Sequence, residues 1–110
     1  MRILFLVTFG VIAMTSAAAR ADDVVERQIS LKNHAFVPRE LTVPVGQKIK
    51  LVIANEDSTA AEFESFELHR EKVVAANGTI TVYVGPLDAG SYPFFDDFHR
   101  DTTTGTITAK

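Results

Sequence analysis

The feature that most constrains the fold of this chain is a period-two alternation of apolar and polar residues. It comes in short runs, each cut by turn residues, from Val25 to the C-terminus. Val25, Arg27, Ile29 and Leu31 alternate with Glu26, Gln28 and Ser30, so the two sets fall on opposite faces of an extended chain. Leu41-x-Val43-x-Val45 repeats the pattern up to Gly46, and Ile49-x-Leu51-x-Ile53 repeats it up to the polar stretch Asn55-Glu56-Asp57-Ser58. Further strands are predicted over Glu62–Leu68, Ile80–Val84, Ser91–Phe95 and Gly105–Ala109, with Asn33–Arg39 read as a connection around Pro38. Asn77-Gly78 predicts a hairpin turn, because both residue types tolerate the positive φ that such turns need. No sustained 3.6-residue period occurs in this region, although residues 64–76 leave room for one helical turn. About seven short strands at this spacing predict an all-β antiparallel sandwich with Greek key connections.

The first residues follow a different rule. Met1-Arg2 precedes the apolar run Ile3–Met14, and Ala19-Arg20-Ala21 has the small-x-small form of a signal peptidase site. A twelve-residue run falls short of the roughly 20 residues that span a bilayer, and Thr8 and Gly10 interrupt it. Residues 1–21 are therefore expected to be a signal peptide. Residues 22–110 are expected to be one exported domain with no membrane span after cleavage.

In that 89-residue domain, 9 basic side chains face 14 acidic ones, a net charge of −5. This balance disfavours nucleic acid and anionic lipid as partners and suits a cation. A domain of this size buries only ~60–65% of its unfolded surface, so a bound metal would add usefully to its stability. The chain has no cysteine, which excludes disulfides, thiolate metal sites, Fe–S clusters and cysteine nucleophiles. No serine or threonine is visibly paired with a base.

Chemistry concentrates in Gly90-Ser91-Tyr92-Pro93-Phe94-Phe95-Asp96-Asp97-Phe98-His99. Asp96 and His99 are three apart across a strand end, where a loop can turn both side chains to one point. Glu62 and Glu64 are two apart and share a face if their strand is regular. On the residues alone, Asp96 and His99 also suit a solvated turn, and Glu62 and Glu64 a solvent-facing strand. Glu67 takes the opposite face from Glu64 unless a bulge intervenes. Asp97 reads as a turn former, His34 as an exposed loop residue or second-site ligand, and Tyr92, Phe94, Phe95 and Phe98 as core.

The segment resembles the end of a cupredoxin, where G-x-Y-x-F-x-C leads into a loop with a histidine. Asp96 stands in the place of the cysteine, His99 in that of the histidine, and Thr103 about where cupredoxins carry an axial methionine. Phe36-x-Pro38-x-x-Leu41-x-Val43-Pro44-x-Gly46 resembles the opening of that family, and Asn55-x-Asp57 its loop before the first ligand. Together with Glu62-Phe63-Glu64-Ser65 and Arg70-Glu71-Lys72-Val73, the set is similar to cysteine-free cupredoxin-like proteins of bacterial periplasmic ferrous-iron uptake and to the cupredoxin domain of iron-uptake lipoproteins.

The resemblance implies a metal site of Glu62, Glu64, Asp96 and His99, with Glu67 as a further candidate, gathered at one pole of the sandwich. Carboxylate and imidazole ligands suit Cu(II), iron or manganese and disfavour Cu(I), and without a cysteine thiolate no type 1 blue copper centre is expected. The implied function is copper and/or iron binding in ferrous-iron uptake, with ferroxidase activity as a candidate reaction. The implied partners are a periplasmic iron-binding protein and an inner-membrane iron permease. The alternatives are a periplasmic copper carrier or chaperone and a metal-free β-sandwich interaction module.

Overall fold

The computed structural model describes residues 23–110, preceded by residues 3, 8 and 10–13. The signal-peptide expectation over residues 1–21 therefore lies for the most part outside the described residues. No helix among the described residues is long and apolar enough to cross a membrane.

Among the described residues nine strands form where about seven are expected: β1 (Val24–Lys32), β2 (Ala35–Val37), β3 (Glu40–Val43), β4 (Lys48–Asn55), β5 (Ala61–Ser65), β6 (Arg70–Val74), β7 (Thr79–Val84), β8 (Gly90–Asp96) and β9 (Thr104–Ala109). The two additions lie on sequence without clear alternation. β2 falls within the expected connection, and β6 is exposed at every residue but Val74. The only helical segment among the described residues is a single 3₁₀ turn, Asp97–His99.

One sheet has the order β2-β1-β4-β7 and the other β3-β9-β8-β5-β6. Most neighbours are antiparallel, but β1–β4 and β3–β9 are parallel, so the sandwich is mixed. The parallel pairs arise because the chain changes sheets between sequential strands. The Asn77-Gly78 turn illustrates this. Asn77 has the expected positive φ of 56°, and the Gly78 N–H donates to the Ala75 carbonyl at 2.9 Å. Yet the turn joins β6 in one sheet to β7 in the other, and so is no hairpin. Local turn chemistry was legible there, and the strand pairing was not.

Between the sheets lies one apolar core, including Ile29, Leu31, Ile49, Leu51, Ile53, Phe63, Phe94 and Ile107. Each fully buried side chain of this kind contributes about 1.5–3 kcal/mol relative to exposure. Phe94 is central: its ring lies 4.9 Å from Phe36 edge-on and 5.3 Å from Phe63. Gly105 makes room for it, since a Cβ there would lie 2.3 Å from Phe94 Cζ. The free edges β6 and β7 meet at one side, where Arg70 Nε donates to the Tyr83 carbonyl at 2.8 Å and Lys72 Nζ to that of Thr81 at 3.4 Å. Long basic side chains thus cap carbonyls that an edge strand would otherwise offer to another chain.

Candidate metal centre

β5 and β8 pair antiparallel with Phe63 opposite Asp96 and Glu64 opposite Phe95. Opposite residues share a face, so Asp96 points inward with Phe63, and Glu64 points outward with Phe95. This parity organises the whole site.

Asp96 is fully buried. One carboxylate oxygen, Oδ1, accepts the backbone N–H of Glu62 at 2.9 Å and that of Phe98 at 3.0 Å. The other, Oδ2, lies 3.0 Å from His99 Nδ1. Asp96 also caps the 3₁₀ turn that carries His99, and its own N–H donates to the Thr103 carbonyl at 2.9 Å. Its oxygens are thus engaged by two amides and an imidazole, all of them protein donors.

His99 packs against a second histidine. The rings of His34 and His99 have centroids 4.2 Å apart and planes inclined by 35°. His34 sits in the two-residue connection between β1 and β2, where Lys32 pairs with Ala35. Both Asn33 and His34 have positive φ, 51° and 56°. Positive φ at both central residues belongs to a type I′ turn, which favours Asn-Gly, so His34 holds a conformation glycine would take more readily. Asp57 supports the turn, accepting the Asn33 N–H at 2.6 Å and the His34 N–H at 2.9 Å. The His34 amide, followed by that of Asn33 and the charges of His34 and His99, holds the Asp57 carboxyl below the usual range against the opposing effect of burial. Buried Asn55 fixes this loop in turn, donating to the Thr59 carbonyl at 2.8 Å and accepting the Asp57 N–H at 3.0 Å. Thr103, fully buried, closes the arrangement by donating its hydroxyl to the His34 carbonyl at 2.5 Å.

On the outer face, Glu62, Glu64 and Asp97 bring one carboxylate oxygen each to within 4.8 Å of one another, and all three are half-buried. Partial loss of water raises the Glu62 carboxyl above its ordinary range, and Glu71, Asp97 and Glu64 add to the rise. Glu64 is raised by the same loss of water and by Asp97 and Glu71, with Arg100 opposing. Arg100 is held to Asp97 through Nε at 3.0 Å and through its second terminal nitrogen. Its guanidinium lies 4.9 Å over the Phe95 ring and 5.8 Å from that of Phe66.

The expected cluster therefore divides. Asp96 and His99 are together, but Glu62 and Glu64 lie on the other face of the sheet, in company with Asp97. β5 is regular from Ala61 to Ser65 and contains no bulge, so the faces do not switch. Glu67 is exposed in the turn after β5 and does not belong to the carboxylate group. Phe66 and Leu68 also fall beyond the strand, Phe66 exposed and Leu68 buried. Of the aromatic residues read as core, Phe95 stacks on the outer face against Phe66, and Phe98 is 51% exposed. Asp97 was missed as a partner of the glutamates. Extending the parity of β8 by one residue places it beside outward-facing Phe95, which is the signal that would have found it.

The fold and site together define a class: the chain belongs to the cupredoxin-like domain family, whose model matches residues 2–109. It is 46% identical over 86 residues to an uncharacterised protein of Rickettsia prowazekii (strain Madrid E), covering 78% of this chain and 69% of that protein. Among solved structures it resembles auracyanin A, a blue copper protein of Chloroflexus aurantiacus, with a TM-score of 0.70 and 16% identity over 80% of this chain and 100% of that one. It resembles equally the metal-binding domain of the Cu(I)-exporting P-type ATPase CopA of Streptococcus pneumoniae D39, with a TM-score of 0.70 and 11% identity over 80% and 96% of the respective chains. At such identities the likeness is one of fold.

The family relates the chain to copper proteins, but a blue copper centre does not fit these residues. There is no cysteine to supply the thiolate, and Asp96, the residue expected in its place, already accepts three hydrogen bonds. What does fit an ion is the outer trio: three carboxylates crowded together, with Arg100 partnering only Asp97 at close range. An oxygen donor set of this kind suits a hard or borderline cation.

Proposed function

We propose that this protein is an exported, periplasmic metal-binding cupredoxin that serves ferrous-iron uptake, taking iron or Cu(II) on carboxylate oxygens. The observation that carries the reading is the convergence of Glu62, Glu64 and Asp97 within 4.8 Å, with both glutamate carboxyls raised by lost water and mutual repulsion. Such a group gains most when a cation replaces the missing counter-charge. Export is supported by the form of residues 1–21, and the iron pathway by the resemblance in the ordered motifs. Iron enters as substrate: anionic oxygens stabilise Fe(III) over Fe(II), which favours loss of one electron per bound ferrous ion to dioxygen. A periplasmic iron-binding protein or an inner-membrane permease would take up the product. A Cu(I) carrier is less well supported, because the chain has no cysteine and its two methionines, Met1 and Met14, both precede the domain.

Calorimetric titration with Fe(II) under anaerobic conditions and with Cu(II) tests the site. The Glu62→Gln, Glu64→Gln double variant is expected to lose about tenfold or more in affinity for iron. Unchanged affinity overturns the assignment. Oxygen uptake on adding Fe(II) in air then separates an oxidase from a carrier.

A further inference from the structure

The carboxylate group does not account for the two histidines at the adjoining pole. They are built as a pair. Each turns Nδ1 toward a carboxylate that backbone amides hold in place. His99 Nδ1 lies 3.0 Å from Asp96 Oδ2, on a carboxylate whose Oδ1 takes the Glu62 and Phe98 amides. His34 Nδ1 lies 3.8 Å from Asp57 Oδ2, an ion-pair distance outside hydrogen-bond range. At His99 the carboxylate accepting at Nδ1 sets the imidazole tautomer with its lone pair on Nε2. Neither Nε2 has a hydrogen-bond partner among the described residues, and the side chains are 46% and 34% exposed, so an ion can reach both. The ring spacing also suits one ion. Two imidazoles at right angles on a metal, with metal–nitrogen distances of about 2.0 Å, place their centroids about 4.5 Å apart. Here they stand 4.2 Å apart.

The backbone adds an independent observation. His34 occupies a positive-φ turn position suited to glycine, and three contacts hold it there: its amide to Asp57, the neighbouring Asn33 amide to Asp57, and the Thr103 hydroxyl to its carbonyl. A side chain kept in a conformation that disfavours it points to a use for that side chain.

We infer that His34 and His99 form a second metal site, distinct from the carboxylate group, that binds a borderline divalent ion through two imidazole nitrogens. Cu(II) is the ion such donors favour most among the first-row divalent metals. Asp57 and Asp96 act there as positioning residues and touch no metal.

The test loads the purified protein with one equivalent of Cu(II) and reads both affinity and imidazole nitrogens, by calorimetry and by pulsed electron paramagnetic resonance. Wild type is expected to show two equivalent imidazoles. His34→Gly, which suits the turn, and His34→Asn, which tolerates it, are each expected to lose one imidazole from the spectrum and at least tenfold in Cu(II) affinity. Glu67→Gln, exposed and outside both groups, should leave both readings unchanged. Two imidazoles retained in both His34 variants, or a Cu(II) spectrum lost only on removing the glutamates, overturns the inference. The second of these outcomes would leave the carboxylate site standing, and loss of iron binding alone would bear only on that site.

Discussion

Asp96 and Asp97 are adjacent in sequence and opposite in circumstance. Asp96 points into the sandwich, is fully buried, and accepts hydrogen bonds from Glu62, Phe98 and His99. Asp97 lies half-buried on the outer face among Glu62 and Glu64, paired with Arg100. One step along a strand end therefore separates a carboxylate that organises the interior from one that joins the outer group proposed to take an ion. The same parity divides β5, where the backbone amide of Glu62 serves Asp96 and its side chain serves the outer group. A shared family position says where a residue sits; the count of hydrogen bonds it already makes says whether it has anything left to offer a metal.

The largest test of this division is Asp96→Ala. It leaves two part-buried backbone amides and the part-buried His99 Nδ1 without the acceptor that the fully buried carboxylate supplies. Each unmet buried donor costs about 1–3 kcal/mol, so a loss of about 3 kcal/mol or more is expected in urea denaturation. Asp96→Asn keeps an acceptor at Oδ1 and should lose less. A stable Asp96→Ala protein that lost only metal affinity would reverse the assignment of roles. On the outer face the sign inverts. In the metal-free protein, Glu62→Gln with Glu64→Gln removes repulsion and lost hydration of charge, so the melting temperature is expected to rise slightly while iron binding falls.

The two faces were not equally legible in the sequence. Alternation at Ile49, Leu51 and Ile53, and at Val82 and Val84, marked buried positions correctly, because a strand face leaves a period-two trace wherever one side meets the core. The aromatic Phe94 and the position of Asp96 at the end of its strand were legible for the same reason. What was lost depended on partners distant in sequence. β6 has no apolar face to announce it, and the Asn77-Gly78 turn looks the same locally whether the next strand pairs back or crosses to the other sheet. The pairing of His34 with His99 spans the molecule through a turn whose second residue breaks the usual glycine rule. The carboxylate group was half visible: Glu62 and Glu64 were found by spacing, but Asp97 required the register of β8 against β5.

The smallest expected effect, and the one that separates the faces most cleanly, is the pH dependence of stability without metal. Asp57, on the histidine side, is lowered from 3.8, so the native state binds fewer protons than the unfolded chain. Its contribution is present above about pH 3.8 and is lost as pH falls through the native value. Glu62 and Glu64 are raised from 4.5, so the native state binds more protons than the unfolded chain just above that pH. Their contribution is therefore full below about pH 4.5 and is lost as pH rises through the native values. Urea midpoints measured from pH 3 to pH 7 should then show an acid limb from Asp57 and a shallow decline above pH 4.5 from the glutamates. The Glu62→Gln, Glu64→Gln variant should lose the decline and keep the acid limb, and a bound divalent ion should cancel the decline in wild type. A decline that persists in the variant would mean that the outer carboxylates are not the source of the strain and that the contrast between the two faces lies elsewhere.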